Sequence, residues 1–294
     1  MPEKGPIRNF GRIISGRTAR VKDANQTAED SELKLIPGNE ISSKLDAWWW
    51  LVAVVALIII GLMVFKPDPY WNIMLFVRNG LLITIVLTLV SFIFILMVGM
   101  IGGLGRIAKN PVIHFIATVY VEIFRGIPLL VQLIWWYFAA PVVIQSFGRA
   151  INFEPLAHYQ SNALLLAVMG LVFCYGAYMS EIFRAGIQSI HKGQIEAARS
   201  QGMTYMQAMR YVILPQAFRV VLPPVGNEFI MLIKDTSLVS VVAVADLTRS
   251  GREFMAAHFN PIETWTMIAL LYLVMTLFFT RVIDWLEKKR GYEK

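Results

Sequence analysis

The sequence predicts an all-α, polytopic membrane protein with about six transmembrane helices. Of its 294 residues, 56% are hydrophobic and only 16% are charged, and the mean hydropathy is +0.57. An ordinary soluble domain has about a quarter of its residues charged. Several apolar runs also reach the roughly 18 residues at which a segment becomes a candidate transmembrane helix. Both observations indicate that the bilayer is the solvent for most of this chain.

The N-terminal part divides into a polar tail and a first span. Residues 1–46 are polar, mixed in charge and without sustained periodicity, which predicts a disordered cytoplasmic tail. Residues 47–65 are apolar over a length that can cross the bilayer, and their tryptophans are typical of a membrane interface. We therefore predict an N-terminal transmembrane helix over 47–65.

The other spans are predicted within residues 79–285, and residues 286–294 are predicted to form a cytoplasmic C-terminal tail. The third span would be about 45 Å long as a continuous helix, which exceeds the bilayer, so part of it should protrude, tilt or kink at Pro128. Pro223 and Pro224 predict an irregular fifth span. Gly99 and Gly103 are spaced for close contact with another helix. The five spans are predicted at about 79–103, 111–140, 162–183, 220–244 and 265–285.

Basic residues flank the apolar segments, and their distribution predicts the orientation. The net charge of +7 forms no soluble basic patch, so membrane lipid is expected as a partner and nucleic acid is not. With a cytoplasmic N-terminus and six alternating spans, both termini are cytoplasmic. In that arrangement the basic residues that lie outside are Lys66, Arg78, Arg149, Arg249 and Arg252.

The polar segment before the fifth span predicts a helix–turn–helix. Residues 194–201 are mostly good helix formers, and Gly202 can adopt the left-handed conformation that ends a helix. Thr204 and Gln207 have the spacing of a capping box at the start of a second helix, which we expect Pro215 to interrupt.

This short hairpin has too little core of its own, so we expect it to dock into a groove of a partner. Ala197 and Ala198 leave room for a partner to approach the backbone closely. The alternative is an ordinary loop between two spans.

The same segment resembles the permease family of ABC (ATP-binding-cassette) importers. Glu196, Ala197, Ala198, Gly202, Leu214 and Pro215 match the hallmark of that family in register, with Val212 in place of isoleucine. Other stretches resemble the polar amino-acid permeases of the histidine, glutamine and arginine type. They are 124–132, 181–187, 222–224 and 234–238, and the resemblance extends from about Asn79 to the C-terminus.

The resemblance implies a permease core of five helices in the type I importer fold, to which 47–65 is an addition. It implies a permease subunit for uptake of a polar amino acid in a bacterial cytoplasmic (inner) membrane. Its partners would be ABC ATPase subunits, a second permease subunit that is identical or a sister, and an extracytoplasmic amino-acid-binding protein. ATP and magnesium would bind to the ATPase, so this chain would hold no cofactor or metal and no catalytic residue. The six hallmark residues, within loop 192–215, would couple it to the ATPase.

Charged residues at membrane depth are the second functional indication, because an unpaired charge there costs about 2.5–3.5 kcal/mol on insertion scales. Glu122 and Arg125, like Glu181 and Arg184, are three residues apart in a repeated Glu-Ile-Phe-Arg, so each pair can meet on one helix face. Such pairs either stabilise the structure or line a path for a zwitterion. Glu122, Arg125, Glu181 and Glu228 are the candidate path residues.

Two other classes of protein remain as alternatives. A secondary transporter or a channel would act without an ATPase, and such a transporter often contains inverted repeats across the chain. The repeated Glu-Ile-Phe-Arg is too short to count as one. A membrane enzyme would require a nucleophile with its base or a metal-binding constellation, and we find no such pattern in the sequence.

Overall fold

The computed structural model describes residues 47–289, and this part of the chain is helical without β-strands. The predicted tail 1–46 lies outside the described residues, as do residues 290–294. The helices are α1 (Ala47–Phe65), α2 (Pro67–Arg106), α3 (Pro111–Gly126), α4 (Leu129–Ile134), α5 (Ala140–Ala150), α6 (Glu154–Ala157), α7 (Ala163–Gln188), α8 (Lys192–Ser200), α9 (Tyr205–Ala208), α10 (Leu214–Asp235), α11 (Leu247–His258) and α12 (Pro261–Lys289).

Four helical segments of the described chain are long and apolar enough to cross a membrane, and Trp49–Phe65 of α1 is a shorter apolar helix. The four are Pro67–Arg106, Leu129–Ala150, Ala163–Gln188 and Pro261–Glu287. The prediction of an all-α protein with several membrane spans is therefore confirmed. α10 carries Arg219, Glu228, Lys234 and Asp235, which explains why hydropathy alone does not select it.

The expected interruption of the third span occurs at Ile127 and Pro128, between α3 and α4. A helix end leaves backbone carbonyls unpaired, which is costly at membrane depth. Gln132 compensates from inside the protein, because its side-chain amide donates to the carbonyls of Phe124 and Ile127, each at 2.8 Å. The break is thus a defined structural feature with its own hydrogen bonds.

Two expectations about proline are wrong. Pro223 and Pro224 lie inside the continuous helix α10, and irregular geometry begins only at the 3-10 turn Thr236–Val242. Pro215 does not interrupt the second loop helix, because a π-helical turn over Met209–Ile213 leads from α9 into α10. Pro215 then lies in the first turn of α10, where a missing N–H is tolerated.

Helices α2 and α7 form the centre of the fold, and glycines allow their close contact. A Cβ added to Gly99 would lie 2.6 Å from Met179 Cβ, and one added to Gly103 would lie 2.9 Å from Phe183 Cβ. Real Cβ atoms do not approach so closely, so the two backbones can meet only at glycine. The prediction of close packing at Gly99 and Gly103 is confirmed.

Helix α11 is tied to the middle of α2 by buried polar groups. The carboxylate of Asp246 accepts hydrogen bonds from the backbone N–H groups of Thr248 and Arg249, at 3.1 and 3.0 Å. Burial raises the pKa of Asp246, and these N–H donors oppose that shift. The backbone N–H of Leu247 donates to Thr84 Oγ1 at 3.1 Å, which joins α11 to α2.

Candidate functional site

The loop between α7 and α10 is a helical hairpin whose turn is defined by backbone geometry. Gly202 has φ +82° and follows the end of α8. The N–H of Met203 donates to the carbonyl of Ala198 at 3.2 Å, and the N–H of Gly202 donates to the carbonyl of Arg199 at 3.0 Å. These two bonds form a Schellman motif, the arrangement that uses a left-handed residue to end a helix. The predicted left-handed Gly202 is confirmed.

The second arm of the hairpin begins at the predicted capping box. The Thr204 N–H donates to Gln207 Oε1 at 2.8 Å, and the Gln207 N–H donates to Thr204 Oγ1 at 3.3 Å. Gln216 then links the two arms, since its amide donates to Gln194 Oε1 at 3.4 Å. The hairpin is therefore fixed at its turn and at its base, as a docking element requires.

The predicted coupling residues do not all point the same way. Glu196 and Ala197 are exposed on α8, and Leu214 and Pro215 are exposed at the start of α10. Ala198 has only 5% of its surface exposed and packs inside the hairpin. Glu196 forms no ion pair with any residue in the described part of the chain. The surface open to a partner thus contains a small residue beside an unpaired carboxylate.

A cluster of charges joins α2, α3 and α7. Arg106 contacts Glu181 at 2.5 Å and Glu122 at 3.5 Å, and Glu181 also pairs with Arg184. Arg106 is 14% exposed and Glu181 is 26% exposed, whereas Glu122 is 67% exposed. The predicted pair of Glu181 and Arg184 is confirmed, and Glu181 is the carboxylate that holds the cluster together.

The expected pairing of Glu122 with Arg125 is wrong. Glu122 reaches Arg106 at the end of α2, and the guanidinium of Arg125 lies 5.3 Å from the ring centroid of Tyr178 on α7. A guanidinium over an aromatic face gains a cation–π attraction, which offers Arg125 an alternative partner to a carboxylate.

Arg106 is the residue that sequence reasoning missed, since it is not among the candidate path residues. The spacing of Arg106 from Gly103 could have indicated which way its side chain points. The glycines mark the side of α2 that faces α7, and a residue three positions later lies on that same side. Arg106 is thereby directed toward Glu181.

A second group of polar side chains lies between α7 and α10. Tyr175 donates to Asp235 Oδ2 at 2.7 Å. The half-buried Glu228 is close enough to Asp235 and Arg125 for charge–charge interaction. Arg125 is exposed at the edge of this group. Of the four candidate path residues, Glu122 and Glu181 belong to the cluster around Arg106, and Arg125 is near enough to both Glu181 and Glu228 for charge–charge interaction.

The structure thus combines long apolar helices, a helical hairpin between α7 and α10, and a cluster of charges that joins α2, α3 and α7. Residues 95–292 match the family model described as "Binding-protein-dependent transport system inner membrane component". That match covers more than half of the chain, so the protein belongs to this family. It is a multi-pass membrane subunit of an ABC importer, and this result favours the importer over a channel or secondary transporter.

The relatives of the chain are amino-acid permeases. It is 34% identical over 227 residues to the glutamine transport system permease protein GlnP of Escherichia coli K12, covering 77% of this chain and 98% of GlnP. It is 37% identical over 223 residues to the L-cystine transport system permease protein TcyB of Bacillus subtilis 168, covering 76% of this chain and 88% of TcyB.

A similar fold is found in a crystal structure of an amino acid ABC transporter with histidines. The TM-score is 0.65 at 36% sequence identity, and the match covers 78% of this chain and 97% of the other. The chain thus has the fold of ABC importer permeases, in agreement with the predicted fold class.

Proposed function

We propose that this protein is the permease subunit of an importer for a polar amino acid, driven by a separate ATPase that docks on the α8–α9 hairpin. The observation that carries this proposal is the exposed surface at Glu196 and Ala197, held on a hairpin fixed by the Schellman motif. ATP and magnesium would be bound by the ATPase. The similarity to a glutamine permease and an L-cystine permease supports the substrate class.

We further propose that a second permease subunit, identical or a sister, completes the path. Arg125 is exposed in the single chain, and the half-buried Glu228 is near enough to interact with it electrostatically. A charged substrate needs a site that shields it from lipid, and small-molecule sites enclose most of their ligand. A facing subunit would provide that enclosure. An extracytoplasmic binding protein would deliver the amino acid to its outer end.

Within this path, Arg125 is proposed to bind the carboxylate of the amino acid and Glu228 its ammonium group. Replacing Arg125 with alanine is expected to raise the KM for uptake about tenfold or more, because a hydrogen bond to a charged group contributes about 1.5–3 kcal/mol. Binding of the ATPase should be unchanged. The measurement is the initial rate of uptake of labelled amino acid against its concentration.

Arg149→Ala is the matched control, since Arg149 is an exposed cation at the end of α5 and distant in sequence from this group. A normal KM in Arg125→Ala, or an equal increase in Arg149→Ala, would remove Arg125 from the proposed path. Glu228→Gln is expected to raise the KM as Arg125→Ala does.

The orientation proposed is that of a bacterial inner-membrane protein with both termini and the hairpin in the cytoplasm. Cys174 is the single cysteine of the sequence and is buried, so an added cysteine can be labelled selectively. In intact spheroplasts, Glu154→Cys should react with a membrane-impermeant maleimide, and Gln201→Cys should react only after lysis. Both positions are exposed in the fold, so accessibility depends on the side of the membrane. Labelling of Gln201→Cys without lysis would reverse this orientation.

A further inference from the structure

An apolar groove runs along α2, where α7 and α10 pack beside it. It consists of two adjoining cavities of about 540 Å³ and about 770 Å³. Met100, Ile187 and Leu214 line both cavities, so the two are continuous. The groove is thus large enough for a long, flexible ligand.

The lining of the groove changes from one end to the other. The deep end is lined by apolar side chains, among them Phe92, Leu96 and Val225. The shallow end contains Gln188 and Lys192. Along α2 the apolar part extends from Phe92 to Leu104, about 18 Å at 1.5 Å per residue. Half of the hydrocarbon core of a bilayer is about 15 Å thick, so the groove has the depth of one leaflet.

The shallow end also carries an available positive charge. Lys192 is exposed at the first position of α8, and it forms no ion pair with any described residue. Glu196 lies one turn further along the same helix and is not paired with it. With the hairpin in the cytoplasm, as proposed above, Lys192 lies at the level of the lipid headgroups. An apolar groove of leaflet depth that ends at a cation matches an anionic phospholipid.

We propose that this groove binds an anionic phospholipid of the cytoplasmic leaflet, with one acyl chain along α2 and the phosphate at Lys192. The shallow end of the groove is also lined by Ile195, Tyr205 and Met209 of the hairpin region. The bound lipid therefore packs against the hairpin beside the surface proposed for the ATPase, since Lys192 and Glu196 are one turn apart on α8. The effect on the ATPase surface rests on the proposed function. Binding of the lipid does not depend on ATP or on the ATPase.

The test is native mass spectrometry of the purified full-length protein, with any subunits that copurify, after exchange with phosphatidylglycerol or phosphatidylcholine of equal chain length. The wild type should retain phosphatidylglycerol about fivefold better, as expected for one lysine near an anionic headgroup. Lys192→Gln should abolish this preference. Lys109→Gln should preserve it, since Lys109 is also an exposed and unpaired lysine of the described chain but does not line the groove. Met100→Trp, which fills the shared part of the groove, should reduce retention of both lipids.

Equal retention of the two lipids by the wild type would overturn the proposal, as would an unchanged preference in Lys192→Gln. Loss of a second protein copy in Met100→Trp, with lipid retention unchanged, would assign the groove to a protein contact and also overturn it. Size-exclusion profiles show whether Met100→Trp has failed to fold. If it has, the lipid preference of Lys192→Gln, a substitution at an exposed residue, decides whether the groove binds an anionic lipid. Because retention is measured without ATP, its failure leaves the proposed transport function untouched.

Discussion

Replacing Gly202 with valine is expected to weaken binding of the proposed ATPase about tenfold or more while leaving the membrane spans intact. Gly202 has φ +82°, and its conformation allows both hydrogen bonds of the Schellman motif. A Cβ added there has no neighbouring atom within 4 Å, so steric crowding does not cause the effect. The cause is the backbone, because a β-branched residue in a left-handed conformation is strained by about 1–3 kcal/mol. The α8–α9 turn should therefore open.

Gly202→Asn is the matched control, since asparagine adopts the left-handed conformation far more readily than valine. It should retain most of the ATPase binding in a pull-down from solubilised membranes. Full binding and full uptake in Gly202→Val would refute the coupling role of the hairpin. An equal loss in both variants would show that the side chain, rather than the backbone conformation, is what matters at this position.

Replacing Glu181 with alanine is expected to destabilise the folded protein by about 3 kcal/mol. Glu181 pairs with both Arg106 and Arg184, and Arg106 is only 14% exposed. Removing Glu181 leaves the largely buried Arg106 with only the longer contact to the exposed Glu122. Breaking a buried pair typically costs about 3–5 kcal/mol, and this remaining contact and the partial exposure of Glu181 place the effect at the lower end. The measurement is the thermal unfolding temperature of the purified protein in detergent.

Glu122→Ala provides the comparison for this prediction. Glu122 contacts the same Arg106 at 3.5 Å but is 67% exposed, so its loss should cost at most about 1 kcal/mol. The unfolding temperature should therefore fall clearly in Glu181→Ala and little in Glu122→Ala. Similar shifts in the two variants would contradict the central position of Glu181.

Features set by local interactions could be predicted from the sequence. The first helix occupies 47–65, as expected of an apolar run of that length, and its crossing of the membrane stays a prediction. The break at Pro128 follows from the proline ring. Gly202 and the Thr204 capping box were also predictable, since each depends on residues within one or two turns.

Features set by tertiary contacts were not predictable. By sequence spacing, Glu122 could have paired with Arg125 on its own helix. It contacts Arg106 instead, because the fold brings the end of α2 close to Glu122. Helix α10 remains continuous through Pro223 and Pro224 because packing against neighbouring helices outweighs two missing N–H donors. The short helix α11 likewise depends on contact with α2 through Thr84.

Energy dependence of uptake tests the proposed coupling most directly. The complex would be reconstituted in liposomes with its extracytoplasmic binding protein, and uptake of labelled amino acid would be measured. One sample would receive ATP on the side of the membrane that carries the hairpin, and another would receive a proton or sodium gradient without ATP. We predict that uptake requires ATP and the binding protein, and that Gly202→Val reduces it severely. Uptake by this chain alone, driven by a gradient without ATP, would contradict the account and identify a secondary transporter.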